Sequence, residues 1–336
     1  MEYAPAIMSK SRRRRLLPFA LVPVLTLLAP RLAMAQDSPP APAGLPSAEE
    51  PGTNPPILTL ATGPVLVVGY MDELVYRDST TTELLSRLRW QLMPAAGLRL
   101  DATLSPRWKA PISFALSVTS LFPTVTGTMV DEDWDVGTLV YGRSEHQAQL
   151  ARGMDATMIA SWSWPDLGLR LGAGAAVSDL SWEGWDGSAI YKYSTYTSTL
   201  TFSGIVIAYR ALRIGPALDV DWEPSLGGFD FRIGIELRYH ALQWGVDSHL
   251  ARQPYAPDTT FFDVMAGGFA LNPSVSASRE LAPGLTASVH AAASVERWAR
   301  GDDYAIEDDG TITLYEGIAG QEFTAFSLSF LVRVER

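Results

Sequence analysis

The sequence contains two short motifs whose residue types are able to activate a water molecule. In the first, Met129-Val130-Asp131-Glu132-Asp133-Trp134, one residue separates two aspartates, so an extended chain presents both carboxylates on the same face. Carboxylates that close repel each other, which raises the pKa of one of them and lets the pair hold a proton and a water. A solvated acidic loop and a weak calcium site are the alternative interpretations of this motif.

The second motif is Asp247-Ser248-His249, in which the same spacing places the aspartate and the histidine on one face. A neighbouring carboxylate orients an imidazole ring and stabilises its protonated form. The pair is therefore suited to act as a general base. The alternative is a chance pair of polar residues in a loop.

Alternation of apolar and polar residues predicts that β-strands position both motifs. In residues 229–240, Phe, Ile, Leu and Tyr alternate with Asp, Arg, Glu and His. The apolar face would be the core of a soluble sandwich or the lipid face of a barrel with a polar lumen. Residues 193–222 and 228–249 are much longer than the typical ~5–6 residues of a globular strand, which favours the barrel.

The strand pattern predicts an all-β fold, a ten-stranded antiparallel transmembrane β-barrel of outer-membrane type. The ten predicted strands lie at about residues 60–77, 82–104, 110–126, 148–163, 167–182, 193–222, 228–249, 260–277, 284–301 and 319–334. The longer connections fall near residues 78–81, 127–147, 183–192, 250–259 and 302–318. Tryptophans near strand ends predict aromatic girdles at the membrane interfaces: Trp90, Trp108, Trp162, Trp164, Trp222 and Trp298. The last strand must pair with the first if the barrel is closed.

Strand parity predicts that the two motifs share one rim of the barrel. With both termini in the periplasm, strands of odd number end on the extracellular side, and the motifs follow or end the third and seventh strands. The apolar phase changes after His240, because Leu242, Trp244 and Val246 become the apolar positions. We therefore predict a bulge near residues 240–241 that turns Asp247 and the histidine after it towards the lumen.

The chain divides into three predicted parts. They are a secretory signal peptide, a Pro-rich disordered lead-in and a barrel domain with an extracellular active-site rim, at residues 1–35, 36–57 and 58–336. The signal combines the basic residues Lys10 and Arg12 to Arg15 with an apolar run and with Ala33-Met34-Ala35, after which we predict cleavage.

Composition excludes several classes of function. The chain has no cysteine, which rules out disulfides and thiol chemistry, and its net charge is −11 at pH 7. The acidic balance argues against nucleic acid as a partner and favours cationic ligands. We expect a monomer in contact with outer-membrane lipid.

Taken together, these motifs resemble the omptins, outer-membrane endopeptidases of Gram-negative bacteria. The resemblance covers residues 65 to 334 and includes Glu73-Leu74-Val75-Tyr76, Leu88-Arg89-Trp90, the Met129–Trp134 stretch, Ser144-Glu145-His146, Ala173-Gly174 with Ser178, Ser181 and Gly187-Ser188, and Asp247-Ser248-His249. It implies a protease without a metal or another cofactor, in which His249 is the general base, Asp247 orients it, and Asp131 and Asp133 hold the water. Ser144 and His146 would have a secondary role.

The resemblance also implies a preference for cleavage beside basic residues. Glu73 matches one of the two acids in the family's pocket, but Gly245 stands where the second acid is expected. The family's lipopolysaccharide-holding Tyr, Glu and Arg are replaced by Ala175, Val177 and Asp179, so activation by lipopolysaccharide through this strand is not expected. The alternative function is a catalytically silent barrel that acts as a surface binding protein, an adhesin or a structural protein.

Overall fold

The computed structural model describes residues 57–106, 111–134, 140–192, 196–250 and 258–335, so the predicted signal peptide and nearly all of the lead-in lie outside it. The described chain is almost entirely β-strand: β1 Ile57–Tyr76, β2 Leu84–Ser105, β3 Ile112–Leu121, β4 Thr124–Trp134, β5 Val140–Trp164, β6 Leu169–Lys192, β7 Thr197–Trp222, β8 Ser225–Leu226, β9 Phe229–His240, β10 Leu242–His249, β11 Thr259–Ala266, β12 Gly268–Ala282, β13 Leu285–Glu307 and β14 Ile312–Glu335. A 3-10 turn, Pro165–Leu167, joins β5 to β6. Within the described ranges, no helix is long and apolar enough to cross a membrane.

Antiparallel pairing joins the two ends of the sheet. β1 pairs with β2 on one side and with β14 on the other, where Thr59 lies opposite Glu335 and Val75 lies opposite Ala319. The predicted pairing of the last strand with the first is therefore confirmed. Pairing satisfies the backbone hydrogen bonds of both terminal strands, so neither has an open edge.

The structure has fourteen strands in the part of the chain that it describes, and the predicted count of ten is not confirmed. Three of the four additional strands arise where one path through the sheet is interrupted, and the fourth is the two-residue β8, which pairs with β9. β3 and β4 both lie between β2 and β5, β9 and β10 both pair with β7, and β11 and β12 both pair with β13. Two of the interruptions, at Ala241 and Gly267, lie side by side, since the Gly267 backbone N–H donates to the carbonyl oxygen of His240 at 3.2 Å.

The outer face of the wall is apolar and its inner face is polar. On β9, Ile233, Ile235 and Leu237 are 46%, 48% and 50% exposed, whereas Glu236 and Arg238 between them are partly buried and form an ion pair at 2.6 Å. This distribution excludes the soluble sandwich, in which the apolar face would be covered. It is the arrangement of a barrel whose apolar face meets lipid.

The apolar belt ends before the strands do. On β1 the exposed apolar residues end at Val68, and on the same outer face Asp72 accepts a hydrogen bond from Arg89 Nε at 2.7 Å. Arg297 and Glu322 form another outer pair at 3.3 Å. Ion pairs in contact with solvent mark the edge of the membrane-spanning part, and the strand ends beyond them project from the membrane.

The projecting ends are longer than the sequence predicts. The connections expected at residues 127–147, 183–192 and 302–318 are wrong for most of their length, because β4, β5, β6, β13 and β14 occupy them. Beyond the membrane both faces of a strand can be polar. The alternation that identifies strands in the belt is therefore lost there, and the segments look like loops in the sequence.

An apolar cluster closes the lumen beneath the projecting ends. Trp90 is fully buried and stacks on Trp182 and Tyr209, with ring centroids 6.2 and 5.9 Å apart. The prediction that Trp90 belongs to an aromatic girdle is wrong, because it points into the barrel. Below the cluster, the lumen contains a cavity of about 710 Å³ that many polar and charged side chains line together with apolar ones.

Candidate active site

The Asp-His motif lies at the end of β10 and faces the lumen. His240 is buried, Ala241 and Leu242 are exposed, and burial resumes at Gln243, so the predicted change of phase is observed. It places Asp247 inside, where its side chain is 2% exposed.

Contacts with a carboxylate and with an aromatic ring orient the histidine of this pair. Its Nε2 lies 2.6 Å from Asp247 Oδ2, and its ring meets Phe261 edge-on with the centroids 5.4 Å apart. A hydrogen bond through Nε2 assigns the proton of the neutral ring to that nitrogen and the basic lone pair to Nδ1. The motif is therefore an oriented acid-base pair in a strand, and the loop interpretation is wrong.

The Asp-x-Asp motif lies on β4 with both carboxylates on the inner face. Asp131 pairs across the sheet with Leu88 and Ser144, which are both buried inside the barrel. Its Oδ1 lies 3.4 Å from the hydroxyl of Ser86, a long hydrogen bond. Asp133 has the same parity and lies opposite Ser86 and Gly142.

The opposite face of β4 carries the third acid of the motif, which is paired with basic side chains. Glu132 points outward, where it forms ion pairs with Arg87 and Arg143, the latter at 2.8 Å. The described residues contain no group of three or more acidic or histidine side chains arranged to hold a metal ion. Because β4 contains the whole motif, the loop interpretation is wrong.

Ser144 and His146 lie on the inner face of β5, beside the Asp-x-Asp motif. The Ser144 hydroxyl is 2.9 Å from His146 Nε2, and His146 Nδ1 donates to the backbone carbonyl of Asp186. Burial and the nearby charge of His249 lower the pKa of His146, against the opposite effect of that carbonyl. His146 is therefore a neutral, fixed side chain near the Asp-His pair.

Glu73 lies in the mouth of the barrel, by which we mean the end of the lumen above the apolar cluster. It is 3% exposed on the inner face of β1, and its pKa is raised well above the usual range. Burial is the largest cause, followed by the negative charges of Asp247, Asp263, Asp303 and Asp131. Asp131 on β4 and Asp247 on β10 therefore both lie within electrostatic range of Glu73.

Two acidic residues in this group were missed in the sequence. Gly245 on β10, Asp263 on β11 and Asp303 on β13 are neighbours across three paired strands. Both aspartates are 4% exposed. Asp303 falls within a predicted loop, and Asp263 is a single acid in an apolar segment, so neither belongs to a local motif.

Neutral side chains form the floor beneath these acids. Tyr209 and Gln321 are buried, and Gln321 Nε2 donates to the Tyr209 hydroxyl. Met265, Ala299 and Ala319 form a small apolar cluster on the strands that carry the two aspartates and Gln321. The described side chains of this floor are therefore uncharged.

The family comparison covers nearly all of the described chain. The model of the omptin family matches residues 55–333. The crystal structure of the outer-membrane protease OmpT from Escherichia coli is similar with a TM-score of 0.75 and 18% identity, and the match covers 86% of this chain and 100% of that chain.

More distant barrels are also found. The toluene transporter TbuX of Ralstonia pickettii aligns with a TM-score of 0.31 and 8% identity, over 82% of this chain and 89% of that chain, which is too weak to support an argument. No curated protein sequence matches. The family match and the OmpT-like fold agree, and the chain belongs to the omptin family of outer-membrane β-barrel proteases.

Proposed function

We propose that this protein is an endopeptidase of aspartic type whose active site opens at the extracellular rim of the barrel. The observation that carries the proposal is the 2.6 Å contact between His249 Nε2 and Asp247 Oδ2 on the inner face, in the mouth that Asp131 also faces. The protein would act as a monomer on peptides and proteins.

In the proposed reaction, a water lies between the two pairs. His249 Nδ1 takes one proton from the water as the water oxygen bonds to the peptide carbonyl carbon. Asp247 stabilises the imidazolium, and Asp131 and Asp133 hold the water and the tetrahedral intermediate. The C–N bond then breaks, and the imidazolium returns the proton to the leaving amine. Atoms and charge balance without a covalent enzyme intermediate, a metal or another cofactor.

Ser144 and His146 have a positioning role in this proposal. Their hydrogen bond of 2.9 Å fixes both side chains, and Ser144 lies directly opposite Asp131 on the neighbouring strand. A neutral His146 adds no charge that would compete with His249 for the aspartates. The pair therefore keeps that wall of the mouth rigid.

The proposed substrates carry basic residues next to the cleaved bond. Glu73 lies buried in the mouth among other acids, and the whole chain has a net charge of −11. A negatively charged mouth attracts cationic peptides and raises their local concentration.

The proposal is tested with the refolded full-length barrel and a random peptide library. We expect cleavage by the parent protein, and a fall in kcat of about 10²–10³-fold in Asp131→Asn, the range observed when one preorganised stabilising group is removed. Glu132→Gln, on the opposite face of the same strand, should keep its activity. A parent protein that cuts no peptide would support the silent barrel instead.

Lipopolysaccharide is not required in this proposal. Asp179, one of the three altered positions, is 2% exposed and holds Arg210 at 2.9 Å and Arg152 at 2.5 Å on the outer face. Both arginines are therefore already engaged by a carboxylate, and Ala175 and Val177 offer no polar contact.

We expect kcat/KM in lipopolysaccharide-free detergent to stay within about threefold of its value with lipopolysaccharide, a difference below 1 kcal/mol. The measurement compares one cleaved peptide with and without the added lipid. A loss of activity that the lipid restores would show that Arg152 and Arg210 serve a lipid phosphate despite Asp179.

A further inference from the structure

Asp263 occupies the space that a side chain at Gly245 would need. The two residues are directly opposite each other on paired strands. A Cβ built on Gly245 would lie 2.7 Å from Asp263 Oδ2 and 3.3 Å from the Tyr209 hydroxyl. A side chain at position 245 would therefore require the Asp263 carboxylate to shift, and in this chain the acid at this point of the wall is carried by the neighbouring strand.

Most buried carboxylates in the described chain have a cationic partner. The pairs are Asp72 with Arg89, Asp179 with Arg152 and Arg210, Asp221 with Arg170, Asp247 with His249, and Glu296 with Arg213 and His240. Glu73, Asp263 and Asp303 are equally buried, yet no arginine, lysine or histidine of the described residues forms an ion pair with them. Asp263 and Asp303 lie directly opposite each other on paired strands, and Glu73 lies within electrostatic range of both.

Two of these acids have oxygens without any hydrogen-bond donor. Glu73 Oε2 and Asp303 Oδ1 are buried and accept nothing from the described protein. Burial of an unpaired carboxylate disfavours its ionised form, and a positive group from outside the chain would restore that form. The side chain of an arginine or lysine supplies several N–H donors and a positive charge together.

Mutual repulsion shows how closely the acids interact. Burial raises the pKa of Asp263 well above the usual range, and the charges of Asp303 and Asp247 raise it further. Burial and Asp247 raise the pKa of Asp303 to about 7. The other titratable groups that interact with Asp303 are Glu73 and Tyr315, and both are acids. A bound cation would favour the ionised carboxylates and release protons on binding.

We infer that Glu73, Asp263 and Asp303 form the pocket that binds a cationic side chain next to the cleaved bond, with Asp263 supplying the acid that position 245 lacks. The inference rests on the proposed endopeptidase function for its meaning in catalysis. It accounts for Gly245 standing where the resemblance leads one to expect the second acid of the pocket. Basic specificity is retained through different residues.

Binding is measured first, because it does not depend on turnover. Isothermal titration of the refolded barrel compares N-acetyl-arginine amide with N-acetyl-citrulline amide, which has nearly the same shape without the charge. We expect the arginine compound to bind at least about tenfold more tightly, with proton release, and its affinity to fall as the pH drops below about 7. Asp263→Asn and Asp303→Asn should each remove most of the difference.

Cleavage is measured second, on two peptides that differ only in arginine or citrulline beside the cut bond. The ratio of their kcat/KM values should fall about tenfold or more in Asp263→Asn. Gly245→Asp alone should perturb the pocket, whereas Gly245→Asp combined with Asp263→Gly should restore the preference for arginine. Glu145→Gln, which removes an outward-facing charge, is the matched control and should leave the ratio unchanged.

The outcomes separate this inference from the proposed function. Equal binding of the two amides, or a ratio that Asp263→Asn and Asp303→Asn do not change, overturns the inference even if the protein is a protease. Charge-dependent binding without cleavage of any peptide supports the pocket and contradicts the endopeptidase.

Discussion

His249→Ala should lower kcat by about 10²–10⁴-fold, the contribution of a well-placed general base. The imidazole is held by the 2.6 Å hydrogen bond to Asp247 and by the edge of Phe261, so it spends little time in unproductive orientations. Alanine removes the proton acceptor and leaves Asp247 without its partner. The loss should appear in kcat, because the histidine acts on the water and contributes little to peptide binding.

The control for this variant is His290→Ala. His290 lines the polar cavity below the apolar cluster, away from the mouth, and should leave kcat unchanged. Circular dichroism of each refolded variant verifies the strand content. Wild-type kcat in His249→Ala would show that another group takes the proton, and the proposed mechanism would be wrong.

Arg213→Met should destabilise the barrel by about 3–5 kcal/mol, the usual cost of leaving one member of a buried ion pair without its partner. Arg213 Nη1 lies 2.5 Å from Glu296 Oε2, and the two side chains are 3% and 1% exposed. Glu296 also lies 2.9 Å from His240 and 3.0 Å from Gln243. Removing the arginine leaves the carboxylate with these weaker partners in a dry interior.

Loss of Arg213 should also disturb the candidate active site, because the hydrogen bonds of Glu296 continue towards it. Gln243 also donates to Gln321, which donates to Tyr209 beneath the acidic pocket. The midpoint of unfolding in guanidinium is the measurement, with Arg152→Met as the control. Arg152 is 56% exposed and its partner Asp179 keeps Arg210, so its loss should cost at most about 1 kcal/mol. Equal midpoints for the two variants would contradict the importance of the buried network.

Sequence patterns predicted the wall of the barrel because alternation in the membrane belt is a local property. The alternating residues 229–240 and the change of phase after His240 were sufficient to direct Asp247 inward. The spacing of Asp131 and Asp133 predicted that the two carboxylates share one face, and their register on β4 confirms it. Each of these predictions needs only the chain on either side of the residue.

The interruptions of the strands and the acidic pocket depend on contacts that are distant in sequence. The change of apolar phase predicted the break near Ala241, but its alignment with the break at Gly267 on the neighbouring strand is visible only in the folded sheet. Asp263 and Asp303 become neighbours through pairing between β11 and β13, forty residues apart. Gly245 is visible in the sequence, but the position of Asp263 directly opposite it is visible only in the folded sheet.

The central claim is that the Asp-x-Asp motif and the Asp-His pair act together on one water. The most direct test measures kcat on one cleaved peptide for the parent protein, Asp131→Asn, His249→Ala and the double variant. Groups that act as a unit are not additive, so the double variant should be no slower than the slower single variant by more than about threefold. Losses that multiply would show two independent contributions, and variants that cleave at the parent rate would contradict the active site itself.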